Sequence, residues 1–373
     1  MMKKIKLYLI ALTTVPTLLL NGCASNQYNE IKVLKESTNG INRNIQSKII
    51  DCIDDYSKDN EFSGAILVAQ GSNIILNRAF GMADYDNNIE NTTQTVFEIA
   101  SITKQFTATA ILMLQEKKLL NVEDSLDKYI PDYPNGDKIK IYNLLNHTSG
   151  VHDYVQLAKS IESGEHTYTL EELIELFKNE PLDFETGTEF GYSNSNYILL
   201  GYIIEKVSKM KYEAYIKENI LRPLNLRDTG FLSDKAAVKN KAIGYYTIDK
   251  NNNEYEKAID TEGPIIASAG EIYSTAEDLY RWEEALFSEK IINKESLKEM
   301  FTPGLTSYGF GWSIDESSEG NKIVSHGGNL PGYTSYVGRN LNKKYLIIIL
   351  SNRDDDPYVS YIYEGITNVL ENK

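Results

Sequence analysis

The stretch "EIASITKQF", residues 98–106, places a serine and a lysine three positions apart, Ser101 and Lys104. On a helix that spacing puts both side chains on one face. A lysine amine can take a proton from a hydroxyl only when it is neutral, and burial disfavours its ammonium form. The residues that follow (Ile102, Phe106, Ala108, Ala110, Ile111, Leu112, Met113, Leu114) are apolar nearly all round, as in a central buried helix. Ser101 on the first turn would also aim free backbone N–H groups at an incoming acyl oxygen. The plainer reading is a helix whose one long cation snorkels to water. S-x-x-K alone is too short to decide between them.

Two other stretches carry polar groups suited to the same chemistry. "FGYSNSNY" sets Tyr192, Ser193 and Asn194 just before a helix. Ser193 or Asn194 suits a helix N-cap, with Tyr192 as packing. In a catalytic arrangement the Tyr192 phenol would pass a proton to a leaving group, and the Asn194 amide would hold substrate and Lys104. "SHGGNLPGY" sets His326, Gly327 and Gly328 at the end of an apolar run. It reads as a strand end with a glycine turn. It also reads as an edge strand whose glycines let a substrate backbone lie close, with the Asn329 N–H completing an oxyanion hole.

The elements that must bring these stretches together are legible in outline. "INRNIQSKIIDCIDDYSKD" (41–59) has Ile45, Ile49, Cys52 and Ile53 spaced for one helix face. "SGAILVAQGSNIILNRAFG" is two apolar runs joined at Gln70–Asn73, a β-hairpin. From Leu119 to Thr261 the signals are mostly helical, clearest in "TLEELIELFKN" and "SNYILLGYIIEKVSKMKYEAYIKENI". After the helix "STAEDLYRWEEALFS", four strands are expected in "YGFGWSI", "KIVSHGG", "YTSYVGR" and "KYLIIILSN", and "PYVSYIYEGITNVLEN" closes the chain as a helix. This order predicts an α/β (α+β) architecture. An antiparallel sheet built from both ends of the chain is flanked by helices, with an all-helical lobe inserted at about 119–261.

With S-x-x-K, Y-S-N and H-G-G in that order, the chain resembles the serine β-lactamase and penicillin-binding-protein superfamily. The branch is that of class C β-lactamases, DD-peptidases and esterases. "LLNHTSGV", "ASAGEIYSTAEDLYRW" and "GGNLPGYTSY" extend the resemblance over roughly residues 43–370. The resemblance implies a β-lactamase/transpeptidase-like fold and an acyl-enzyme mechanism that needs no metal or cofactor. It makes Ser101 the nucleophile, Lys104 its base and Tyr192 the proton relay. Asn194, His326, Gly327, Gly328 and Asn329 become substrate-binding residues, with the N–H groups of Ser101 and Asn329 as the oxyanion hole. The chain departs from the pattern at Gly327, where Thr or Ser usually offers a hydroxyl to a substrate carboxylate. Losing that bond costs roughly 1.5–3 kcal/mol, about tenfold to over a hundredfold in binding. His326 in place of lysine is expected to supply a weaker, pH-dependent positive charge. A DD-carboxypeptidase-like or D-alanyl/acyl esterase activity is therefore favoured over a class C-like β-lactamase. A non-catalytic wall-binding lipoprotein is the alternative of another class.

Other chemistries find little support. No serine lies in a G-x-S-x-G elbow, and His147, His152, His166 and His326 lack metal-site spacing. His147 in "NHTSG" is assigned to a structural turn. The net charge of −15 argues against nucleic acid as a partner. A small acyl or peptide substrate from the cell wall fits better.

Residues 1–22 combine Lys3, Lys4 and Lys6 with an apolar run from Leu7 to Leu20, an export signal. "LNGC" resembles a bacterial lipobox, whose Cys23 would carry a lipid anchor holding the chain at the outer face of the cell membrane (in the periplasm of a Gram-negative cell). Residues 23–40 then form a tether and 41–373 the hydrolase domain.

Overall fold

The computed structural model describes residues 40–57, 62–158, 168–234, 238–249, 254–259, 263–316, 320–354 and 358–371. The expected signal (1–22), Cys23 and the tether up to residue 39 lie outside the described residues. Among the described residues no helix is long and apolar enough to cross a membrane.

"YLIIILS" is apolar at every position but its ends because the strand it forms is covered on both faces. It belongs to a six-stranded sheet of β1 (Gly64–Gln70), β2 (Asn73–Phe80), β3 (Ser313–Glu316), β4 (Lys322–Leu330), β5 (Tyr333–Asn340) and β6 (Tyr345–Ser351). The strands run in the order β3-β4-β5-β6-β1-β2, and every neighbouring pair is antiparallel. The two ends of the chain thus meet where β1 pairs with β6, as expected. The β1–β2 turn falls at Gly71, whose φ of +56° suits a tight hairpin.

One face of the sheet is closed by α1 (Gly40–Ser57) and the C-terminal helix (Tyr358–Glu371). Ile49 and Ile53 of α1 join Ile66, Val68, Ile347 and Ile349 of the sheet and Ile362 and Ile366 of that last helix in one apolar cluster. Each such side chain, fully buried, contributes about 1.5–3 kcal/mol.

Against the other face lies α4 (Ala276–Phe287), and α2 (Thr103–Glu116) packs on α4 and on α3 (Asn194–Ser208). Arg339 stands opposite Leu346 on this face and donates from Nε to Glu283 of α4 at 3.0 Å. Helix α2 is buried along one run from Thr103 to Leu112, as its composition predicts. Trp282 of α4 stacks on Phe106 at 4.2 Å, and its Nε1–H donates to Gln105 Oε1.

Three local expectations are corrected. Ser101 does not begin the α-helix: it lies in a 3₁₀ turn, Ala100–Ile102, and α2 starts at Thr103. Ala100 takes a φ of +48°, which an α-helix cannot accommodate. "YGFGW" is loop rather than strand, and β3 begins only at Ser313. Gly311 has φ +76°, and a Cβ there would lie 2.8 Å from the Lys104 carbonyl oxygen, so this loop presses on α2. Among the described residues of the insertion, the elements that are not helical are a hairpin, Tyr245–Asp249 with Glu254–Lys257, and a short strand at Gly230–Phe231, with turns between them. Tyrosine, threonine and isoleucine in "YYTID" favour strand once a partner is available. Gly230–Phe231 pairs with Ile272–Ser274, which pairs in turn with Phe97–Glu98. This small sheet holds the chain just before Ser101, where the Ile99 N–H donates to Ile272 O.

Gly328 closes the packing from the other side. A Cβ there would meet Ile99 O at 2.6 Å and the Ala100 Cβ at 2.9 Å, whereas one at Gly327 would find its nearest atoms at an ordinary 3.6 Å. The glycine at 328 therefore serves the approach of β4 to the serine turn. Gly328→Ala is expected to destabilise the fold by about 1–3 kcal/mol through overpacking. Gly327→Ala should stay within about 0.5 kcal/mol of the wild type. Denaturant unfolding of the two variants checks both, and equal stability would refute the assignment.

Candidate active site

The amine of Lys104 is the point on which the three sequence stretches converge. It is fully buried and makes three hydrogen-bond contacts, to Ser101 Oγ at 3.0 Å, Asn194 Oδ1 at 2.9 Å and Ala269 O at 2.8 Å. The rings of Tyr192 and Tyr197 flank it at 5.0 and 5.4 Å. Burial lowers its pKa to about 7, while the negative charge of Asp153 opposes that fall. Near neutrality about half of these amines are therefore uncharged. The Asn194 and Ala269 oxygens can only accept, so a neutral amine spends both its hydrogens on them. Its lone pair is left for the Ser101 hydroxyl, which then donates to Nζ.

Tyr192 donates to the same Ser101 oxygen at 3.0 Å. Its ring edge stands at the cleft mouth with 39% of its surface exposed. Desolvation of its hydroxyl beside Ser101 raises its pKa, so it is a phenol at neutral pH. The ring is backed by the buried His147 at 4.4 Å. His147 has φ +59°, and its Nδ1 accepts from the Ser193 N–H at 3.2 Å. Its role is to shape the turn under Tyr192, as expected.

The start of α3 positions Asn194. Ser193 has N-cap dihedrals but makes no side-chain cap bond. The cap is supplied by Asp153, whose Oδ1 accepts from the Asn194 N–H at 3.3 Å. The Asn194 amide nitrogen donates to Asp153 Oδ2 at 3.1 Å. Neighbouring bonds lace residues 147–154 onto the same helix end: Tyr154 N–H donates to Ser195 Oγ, and Ser149 Oγ donates to Asn196 Oδ1. "HTSG" and the residues after it are thus the mount of "YSN". The sequence offered no signal for Asp153, because its partner lies 41 positions away and a lone aspartate has no motif.

Ser101, Tyr192, Asn194, His326, Gly327, Gly328 and Asn329 line one cleft of about 410 Å³, with Val155, Ile266 and Leu330 as apolar walls. Among the described residues lining it there is no lysine or arginine. His326 needs a correction. Its Nδ1 lies 2.6 Å from Gly327 O, which can only accept, so Nδ1 carries the proton and Nε2 accepts from the Tyr308 hydroxyl at 2.8 Å. Burial lowers its pKa to about 4, with the Lys104 charge adding to the shift. At neutral pH it is uncharged, so the positive charge expected there is missing. On the cleft side, β3 pairs with β4 only up to Ser325, and among the described residues no other strand pairs with the edge from His326 to Leu330.

The sequence pattern of the family described as Beta-lactamase matches residues 49–370. Penicillin-binding protein 4* of Bacillus subtilis (strain 168) is 32% identical over 331 residues, covering 83% of this chain and 73% of that one. The crystal structure of a penicillin binding protein from Bacillus halodurans superimposes with a TM-score of 0.76 at 26% identity, over 86% of this chain and 98% of its own. D-amino acid amidase from Ochrobactrum anthropi SV3, complexed with L-phenylalanine amide, shares the fold at 22% identity. Its TM-score is 0.75, over 88% and 99% of the two chains.

If Lys104 is the base, modification of Ser101 by a neutral ester should lose rate below about pH 7 as the amine protonates, approaching tenfold per pH unit. Single-turnover rates against pH check this. A profile flat down to pH 5 would exclude Lys104 as the base.

Proposed function

The chain belongs to the beta-lactamase family and is a serine hydrolase, and from that premise we propose that Ser101 is the acylated nucleophile of an esterase or amidase that accepts small acyl groups, D-alanyl groups among them. The observation that carries this reading is the fully buried Lys104 amine, its pKa lowered by burial to about 7 and its Nζ 3.0 Å from Ser101 Oγ. In acylation the Ser101 hydroxyl proton moves to Nζ as Oγ bonds the acyl carbon. Negative charge then builds on the acyl oxygen, facing the N–H groups of Ser101 and Asn329. As the bond to the leaving group breaks, that group takes a proton from Tyr192, and the lysine ammonium, held against the same Ser101 oxygen as the phenol, returns one to it directly, since Oγ is by then an ester oxygen with no proton to pass. Water then attacks the acyl carbon, its proton passes to the neutral lysine amine, and Ser101 Oγ takes that proton as its bond to the acyl carbon breaks.

The preference for esters and amides rests on what the cleft lacks. Gly327 offers no hydroxyl, His326 is neutral, and among the described residues no lysine or arginine lines the wall. A β-lactam or a terminal D-alanine would bring a carboxylate into a cleft whose described lining residues include no lysine or arginine to meet it. Export and anchoring through Cys23 belong to the same proposal. They rest on the sequence of residues 1–23 and would set the enzyme beside wall polymers.

Intact-protein mass spectrometry tests the chemistry, with a D-alanyl ester and with a penicillin in separate incubations. The ester should be turned over by the wild type and untouched by Ser101→Ala, with little or no penicilloyl adduct. Ester turnover that survives Ser101→Ala would sink the assignment. A rapid, lasting penicilloyl adduct would instead mark a DD-peptidase type. Because a Cβ at position 327 has ordinary space, Gly327→Thr should fold and restore a carboxylate contact. The rate of penicillin acylation should then rise about tenfold or more. An unchanged rate would show that the missing hydroxyl is not what limits carboxylate binding.

A further inference from the structure

Asn194 can face Lys104 with either end of its amide, and the two choices have opposite consequences. With oxygen inward the amide accepts one amine hydrogen and leaves the lone pair for Ser101. With nitrogen inward it would claim that lone pair itself. Only groups behind the amide can decide, and the group there is Asp153. Its carboxylate can only accept, with Oδ2 3.1 Å from Asn194 Nδ2 and Oδ1 3.3 Å from the Asn194 N–H. The carboxylate is itself tied down, since Oδ1 also accepts from the Val155 N–H at 3.2 Å.

We propose that Asp153 is a positioning residue for the Ser101–Lys104 pair, holding the Asn194 amide with its oxygen toward the amine and placing a fixed negative charge behind it. This rests on the reading of Ser101 and Lys104 as nucleophile and base. The other groups around the amine leave Asp153 as the source of charge. His147 beneath Tyr192 and His326 on β4 are both held neutral by burial. Tyr192 and Tyr197 from the α3 region and Tyr308 from the loop before β3 are all protonated phenols, their pKa values raised by burial. Asp153 also opposes the depression of the Lys104 pKa, which keeps the amine basic enough to hold the serine proton once it has moved. The residue thus sets both the direction of the lone pair and its strength.

Asp153→Asn separates this role from simple packing. The asparagine keeps the shape and one acceptor, but it loses the charge and turns an N–H₂ toward Asn194 Nδ2. Two donors facing each other favour a flip of the Asn194 amide, nitrogen inward. Both effects favour the neutral amine, so the Lys104 titration midpoint should move below its wild-type value of about 7. The lone pair is diverted at the same time, so the pH-independent acylation rate should fall about tenfold to a hundredfold.

Two readouts on the full chain test this. NMR titration of ¹³C-labelled lysine follows Lys104 without requiring turnover, and single-turnover acylation by p-nitrophenyl acetate against pH follows the chemistry. Thermal unfolding of Asp153→Asn and Asp153→Ala shows whether each variant is folded. A lowered midpoint together with a lowered plateau supports the proposal. A plateau that falls while the midpoint stays in place would make Asp153 a helix cap and nothing more, and overturns it. A midpoint that moves in a protein never acylated at Ser101 would retain Asp153's hold on Lys104 and reject the nucleophile reading.

Discussion

The burial of one lysine amine is the constraint from which the rest of the structure can be read. Removing an ammonium from water costs several kcal/mol, and a fold meets that cost with partners or by giving up the proton. Here it does both in part. Two oxygens from different parts of the chain, Asn194 Oδ1 on α3 and Ala269 O, reach the amine with Ser101 Oγ. None of the three contacts is an ion pair, so the charge is solvated but not locked, and the pKa settles near 7 instead of near 10. A salt bridge in the same place would have stabilised the ammonium and removed its use as a base.

Bringing those oxygens to one point demands close backbone approaches. Gly201 on α3 is the clearest: a Cβ there would lie 2.2 Å from Ser268 Oγ, so the helix rests directly on the segment that supplies Ala269 O. Ser268 Oγ donates to Tyr197 O across the contact, and Thr107 of α2 donates to Ser268 O. Gly311 performs the same service under Lys104 and Gly328 beside Ala100. The left-handed turn at Ala100 is the one backbone irregularity in the serine segment, and it is held by the small sheet below and by Ser335 Oγ donating to Ile99 O. Packing on all sides fixes the serine where no regular helix would have put it.

Much of this was legible in the sequence, and the reasons divide cleanly. Periodicity and apolar runs are local, so the β1–β2 hairpin, the buried α2 and the all-apolar β6 could be read directly. Ser101, Lys104, Tyr192 and Asn194 were found because each lies in a short pattern of chemically distinctive types. Asp153 was not, because its meaning comes from a helix end far along the chain. The charge on His326 was misjudged for a related reason: a histidine's protonation depends on burial and on what its ring nitrogens touch, and "SHGG" reveals neither Tyr308 nor Lys104. The Tyr245–Lys257 hairpin was hidden inside a helical insertion because isolated two-stranded pieces carry weak signals.

The open edge of β4 has a consequence beyond ligand access. A strand with bare N–H and C=O groups is a template for any other extended chain, including a second copy of the same protein, and exposed edges of this kind nucleate aggregation. Here the vulnerable stretch is short and carries Gly327 and Gly328, which pair weakly as strand residues. It lines the same cleft as Tyr192 and Val155. Any chain that pairs with this edge must therefore enter the cleft, so the place where an extended ligand would lie is also the place where a neighbour could lengthen the sheet.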